Sequence, residues 1–162
     1  MKKSLTLLLL VAISLISCNN DDDNDPGNPS NDTFFAVVDG EDYDPPFVSA
    51  FNTTSINTVI ITGAMGNTAE QIQIFVPVDI VPGTYEWFDD DQAFVQGYYS
   101  PPTSNDADDD GFADSGSITI TENDIQNRRI SGTFNFVSEP AVNGGAVYTV
   151  TNGSFSVTHT DI

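Results

Sequence analysis

From Thr33 onward the chain is a series of short alternating or β-branched runs, and no stretch holds the three-to-four-residue apolar period of a helix. Gly, Asn, Asp and Pro interrupt these runs at close intervals, as turns require. The pattern predicts an all-β domain with strands over 34–38, 47–51, 57–64, 71–78, 84–88, 93–99, 116–122, 129–137 and 146–159, the last broken near Asn152-Gly153. Alternation assigns the faces. Ile72, Ile74 and Val76 share one side while Gln71 and Gln73 take the other; Ile118 and Ile120 alternate with Ser117, Thr119 and Thr121. Ile130, Gly132, Phe134 and Phe136 likewise oppose Ser131, Thr133 and Asn135. A sheet with one wet face and one buried face is usually antiparallel, so an antiparallel β-sandwich of about nine strands is expected, with a small closed β-barrel as the alternative. Asp39-Gly40 predicts a tight type I′ hairpin, because Gly accepts the positive φ that such a turn demands. Pro82-Gly83 marks another turn.

The first 17 residues are of another kind. Met1-Lys2-Lys3 is positively charged, and residues 5–16 form an apolar run too short to span a bilayer comfortably, which is the form of a cleavable secretory signal. Leu15-Ile16-Ser17-Cys18 follows, and it resembles the lipobox of bacterial lipoproteins. The resemblance implies that Cys18 receives a diacylglycerol thioether, becomes the first mature residue and is acylated on its new amino group. Two or three acyl chains make membrane attachment lasting where one does not. Cys18 is the only cysteine, so no disulfide competes for it.

Residues 18–32 form an acidic tether with no apolar side chain larger than proline beyond Cys18; such a stretch cannot pack, and 14 residues of it reach about 50 Å at full extension. Its Asp21-Asp22-Asp23 run, with Asp25, resembles the acidic export signal of Bacteroidota lipoproteins. That resemblance implies the outer membrane with the body facing outward; an ordinary linker on a periplasm-facing lipoprotein is the alternative. Residues 33–162 then form a single all-β domain, within the usual size of one core. Loss of Lys2 and Lys3 with the leader leaves Arg128 and Arg129 against 24 acids, a net charge of −22. Such a surface repels phosphate backbones and anionic headgroups, which excludes nucleic acid as a partner and membrane binding by charge.

Four segments of the domain carry a further likeness: residues 34–40 (FFAVVDG), 82–85 (PGTY), 130–136 (ISGTFNF) and 151–155 (TNGSF). Together they resemble an uncharacterised domain family of Bacteroidota lipoproteins, a domain of unknown function. The resemblance implies a location and a fold and carries no activity.

Residues 106–114 read DADDDGFAD. Asp106, Asp108 and Asp110 at alternate positions can turn their oxygens around a hard cation, the glycine permits a sharp turn, the Phe112 carbonyl can follow, and Asp114 can join directly or through water. The pattern resembles the calcium loops of EF-hands, dockerins and thrombospondin type 3 repeats. It departs from the EF-hand in having Ser117 where the bidentate Glu stands, so the expected Ca²⁺ affinity is weak, of order 10⁻⁴ to 10⁻³ M. A solvated acidic loop without an ion is the competing reading.

Catalytic material is poor. The mature chain has no Lys, no free thiol and a single His, His159, so nucleophile–base pairs and a zinc site of three His or Cys ligands are not available, and no enzyme is expected. Tyr85, Trp87, Tyr98 and Tyr99 are amphipathic aromatics near strand ends; exposed, they stack on the apolar faces of sugars, and buried, they fill a core edge. Two functions remain open: a lipid-anchored surface protein with a non-catalytic structural or interaction role, ordered by calcium or not, and a carbohydrate-binding module for surface glycan capture. The exposure of Trp87 discriminates between them.

Overall fold

The computed structural model describes residues 31–88, 94–102, 110–140 and 145–162. Among them the regular structure is all strand: β1 (Thr33–Val38), β2 (Glu41–Tyr43), β3 (Phe47–Thr53), β4 (Thr58–Ala64), β5 (Gln71–Pro77), β6 (Gly83–Glu86), β7 (Gln96–Ser100), β8 (Gly111–Asp124), β9 (Arg129–Pro140), β10 (Thr149–Thr158) and β11 (Thr160–Asp161). One sheet runs in the order β11-β3-β4-β5-β7-β8-β9-β10-β1-β2, and β6 pairs with β8 beside this path. The sheet curls into a half-barrel. The expected two-sheet sandwich is therefore corrected: alternation marks which face is buried but not what covers it, and here the same sheet bends over its own inner face. The all-antiparallel expectation is corrected too, because β11 lies parallel to β3.

Turns and bulges make the curl. Asp39 and Gly40 take φ of 50° and 91°, so β1 and β2 form the expected I′ hairpin with Val38 opposite Glu41. In β8 the register against β9 shifts between Ala113 and Ser115, and the buried positions change phase there, from Gly111 and Ala113 to Ile118 and Ile120. In β10 a shift between Val150 and Gly153, with Asn152 at φ 51°, replaces the expected break by a bulge, and the strand continues. The result brings β1 over β4: a Cβ on Gly63 would lie 2.7 Å from the Phe34 ring, and the Tyr43 hydroxyl donates to the Gly63 carbonyl at 2.7 Å.

The core is a continuous aromatic and aliphatic column. Phe34 meets Tyr43 edge-on at 6.4 Å and Phe134 at 5.5 Å; Phe134 contacts Phe136 and Phe155, each at 6.3 Å. Two glycines make room for these rings. A Cβ on Gly153 would lie 2.5 Å from the ring of Phe134, its cross-strand partner, and one on Gly132 would lie 2.8 Å from the ring of Phe155, its own partner. Elsewhere Ile61, Ile72, Ile74, Ile118, Ile120 and Ile130 are buried as their alternation requires.

The carboxyl-terminal segment ties the curl together. β10 pairs with β9 and β1, and one residue later β11 pairs with β3, placing Thr160 opposite Phe51 and Asp161 opposite Asn52. Asn52 donates to the Asp161 carboxylate at 2.9 Å, Ile162 N–H donates to the Asn52 carbonyl at 3.0 Å, and Arg128 pairs with Asp161 at 3.2 Å. His159 stands at the junction, 3% exposed, with neither ring nitrogen bonded to a partner among the described residues. Its loss of hydration holds the imidazole below its ordinary pKa, reinforced by Arg128 and opposed by Asp161. The folded chain then resists a proton that the unfolded chain accepts. Above about pH 6.5 the ring is neutral in both states and has no effect; as pH falls below 6.5 stability declines, down to the folded pKa. Urea unfolding at about pH 7.5 and pH 5.5 should show this loss in the native chain and a smaller one in His159→Leu, whose side chain does not titrate.

Candidate functional site

At the end of the half-barrel where β1 turns into β2, side chains far apart in the chain line a cleft of about 240 Å³. Tyr43 comes from β2, Tyr99 from β7, Tyr148 from the approach to β10, and Met65 and Glu70 from the β4–β5 connection. The Tyr99 hydroxyl donates to Glu70 Oε1 at 2.9 Å, and the Tyr99 and Tyr148 rings meet edge-on at 4.8 Å. Burial pushes both the Tyr43 and Tyr99 hydroxyls well above the usual phenol range, and Glu70 adds to each shift, so both remain protonated donors. Asp39, Glu41 and Asp42 border the cleft. The arrangement brings ring edges, hydroxyls and carboxylates together on one cleft. Of these residues sequence reasoning singled out only Tyr99, because Tyr43, Glu70 and Tyr148 meet only through strand pairing.

The other aromatic candidates do not join it. Trp87 is 6% exposed, its indole N–H donates to the Asn135 carbonyl at 2.7 Å, and its ring meets Phe136 edge-on at 5.9 Å. Tyr85 is half-buried and donates its hydroxyl to the Val81 carbonyl at 2.8 Å. Both therefore fill a core edge, and Trp87 presents no face to a sugar. Tyr98 lies on the opposite side of β7 from Tyr99, with its ring 5.3 Å from Phe112 and its hydroxyl bonded to Asp110. Burial, then the bond to Asp110, pushes that phenol up to about 12.

The acidic segment divides in two. Asp106 and Asp108 lie outside the described residues, as does Cys18. Asp110 immediately precedes β8, whereas Phe112 and Asp114 stand within it, Phe112 opposite Tyr98 and Glu139. From Gly111 the backbone is committed to a strand, so only the first part of the D-x-D-x-D-G-x-x-D pattern is left to form a loop. Among the described residues no group of three or more His, Cys, Asp or Glu is placed to hold a metal ion.

A second surface has no counterpart in the sequence reading. β3, β4, β5 and β7 contain no Asp, Glu, Lys or Arg, in a chain with 24 acids. On their outer side Phe51 is opposite Ile60, and Ile60 is opposite Phe75, so an apolar row crosses three strands. Phe47 is 62% and Phe51 41% exposed. The signal that finds this face is the run of uncharged strands; alternation alone only assigned Ile72, Ile74 and Val76 to the core.

These observations define the class: an all-β half-barrel domain whose one histidine is buried and whose concave end carries tyrosines and carboxylates. The chain belongs to the DUF6252 family, a domain of unknown function, which matches residues 30–157. Comparison with curated proteins and with solved structures finds no match.

Proposed function

We propose that this chain is a lipid-anchored protein of the outer membrane, held at Cys18 and facing outward, whose body has a non-catalytic structural or interaction role. A Bacteroidota origin of the lipoprotein belongs to the same proposal. The observation that carries the role is the apolar row of Phe51, Ile60 and Phe75, with exposed Phe47 beside it, on strands that hold no charged residue, since clustered apolar side chains at the surface mark an interaction site. The absence of lysine and thiol from the mature chain supports a non-catalytic role. The location is supported by the short apolar leader, the lipobox-like 15–18 sequence and the acid-rich tether. Exchanging exposed Phe51 for Gln should leave folding intact and abolish capture of the native partner on intact cells; unchanged capture would show that the face is idle.

Calcium ordering of the acidic segment is part of the proposal, and it is supported by the spacing of Asp106, Asp108 and Asp110. With a dissociation constant near 1 mM, about 10 mM Ca²⁺ adds roughly 1.4 kcal/mol, a rise of roughly 5 °C in melting temperature. Asp108→Asn should remove the rise. An unchanged melting temperature with and without chelator would end the metal reading.

Glycan capture is the second reading. It draws on Tyr98 and Phe112, whose paired rings lie on the outer side of β7 and β8 beside Gln73, the cross-strand neighbour of Tyr98. Tyr98→Ala should slow no longer in a gel containing a neutral polysaccharide if the native chain does.

A further inference from the structure

We infer that the body docks end-on against the bilayer that holds its acyl chains, through aliphatic side chains at the tips of the turns where β10 ends. This docking presupposes the lipid anchor at Cys18. Antiparallel pairing brings to that end the β3–β4 turn (54–57), the β5–β6 connection (78–82), the β8–β9 turn (125–128) and the residues after β10. Each presents a large aliphatic side chain: Ile56 is 62%, Val81 66%, Ile125 60% and Ile162 68% exposed. Turns that face only water are usually built of Gly, Asn, Asp and Ser, so four such tips at one end mark a contact surface.

The tips are held as one rim. Val78 N–H donates to the Asn57 carbonyl at 3.1 Å, and the Asn123 amide at the end of β8 donates to the Val78 and Ile80 carbonyls at 3.0 and 2.8 Å. His159 N–H donates to the Arg128 carbonyl at 2.9 Å, and Thr54 N–H to the Ile162 carbonyl at 3.3 Å, which closes the ring. Aliphatic tips fixed in position but separated by polar residues fit a fluid surface, which flows around each, better than a protein surface, which must match them all.

The course of the chain names that surface. Asp32 accepts from Thr158 N–H at 2.9 Å and Thr33 lies opposite Ser156, so the sequence leading from Cys18 enters the body at this end. Anchored there, the tips meet the bilayer at high effective concentration, and a contact too weak to hold a free chain suffices to orient a tethered one. Charge agrees. Arg128 and Arg129, the only cations beyond the leader, stand at this end, where Arg128 offsets Asp161 at 3.2 Å. Asp79, Glu122 and Asp124 remain beside them, which favours zwitterionic headgroups over anionic ones. The other end holds exposed Phe47 and Val147, but also the five carboxylates of residues 39–70 and no cation among the described residues. End-on docking therefore turns the cleft of Tyr43 and Tyr99 away from the membrane.

The test uses the mature lipidated chain on phosphatidylcholine vesicles, with a fluorophore attached through Ile56→Cys or, at the other end, through Ala69→Cys. Brominated acyl chains should quench the Ile56→Cys label roughly twofold or more and leave the Ala69→Cys label unquenched, equally at about 0.1 and about 0.5 M NaCl. Adding Val81→Asn and Ile125→Asn should abolish that quenching while Trp87 emission, and hence the core, stays unchanged. Flotation of the vesicles reads the anchor separately. A chain that fails to float removes the anchor and the docking together. A floating chain whose two labels are quenched alike, or not at all, or whose quenching survives Val81→Asn with Ile125→Asn, overturns the docking and leaves the anchor. An Ile56→Cys label unquenched on vesicles yet shielded on intact cells would give the tips to a protein instead.

Discussion

Phe136→Ala should destabilise the domain by about 3–5 kcal/mol, a large part of the total stability of a chain this size. Phe136 is 1% exposed and is among the largest fully buried side chains. Its ring links the aromatic column of Phe34, Phe134 and Phe155 to Trp87, and it fills the space over Gly97, where a Cβ would lie 3.2 Å from the Phe136 ring. A cavity there is bounded by strands paired on both sides, since β9 lies between β8 and β10, so little collapse can offset the loss. Trp87 is the only tryptophan and sits against the deleted ring, so its fluorescence reports both the equilibrium and the local change. Urea titration followed at Trp87 should give a midpoint well below that of the native chain with a similar slope. A loss under about 1 kcal/mol would mean that the column is not the core it is taken to be.

Cys18→Ala should move the protein from the membrane fraction to the soluble fraction almost completely. The effect is near all-or-none because acyl chains on a single residue are the proposed attachment: residues 19–32 carry no apolar group to substitute for them, and the body's net negative charge opposes anionic headgroups. Among the described residues no helix is long and apolar enough to cross a membrane. Mass spectrometry of the native amino terminus is the matching positive test, expecting residue 18 to be first and to carry acyl mass. Cys18→Ala remaining with membranes would remove the anchor and the inferred location together.

Local pattern carried much of the fold. The buried faces of β4, β5 and β9 follow period-two alternation, and the Asp39-Gly40 turn follows from the φ that only such residues accept readily. What alternation cannot express is curvature. The shifts at Ala113–Ser115 and Val150–Gly153 change which residues face inward, so β8 and β10 switch phase midway. β8 also starts at Gly111, earlier than its composition suggests, because pairing with β7 and β9 outweighs the poor strand propensity of Gly, Asp and Ser. β2 and β11, at three and two residues, are too short to show a period and exist only through their partners. The candidate site was less legible for the same reason. Tyr99 stood out as an aromatic near a strand end, but its partners Glu70 and Tyr148 are assembled by the sheet, and the apolar outer row is visible only once Phe51, Ile60 and Phe75 are known to be neighbours.

The pairing of β1 with β10 has a kinetic side. Phe34 lies opposite Phe155, so the first strand of the domain has its main partner far along the chain, and β11, one residue beyond β10, pairs back with β3. Contacts that close such long loops are slow to form. Until the residues of β10 have emerged, β1 lacks its main partner and the hydrogen-bond ladder on that side of the sheet stays open, so folding of the domain waits on its own far end.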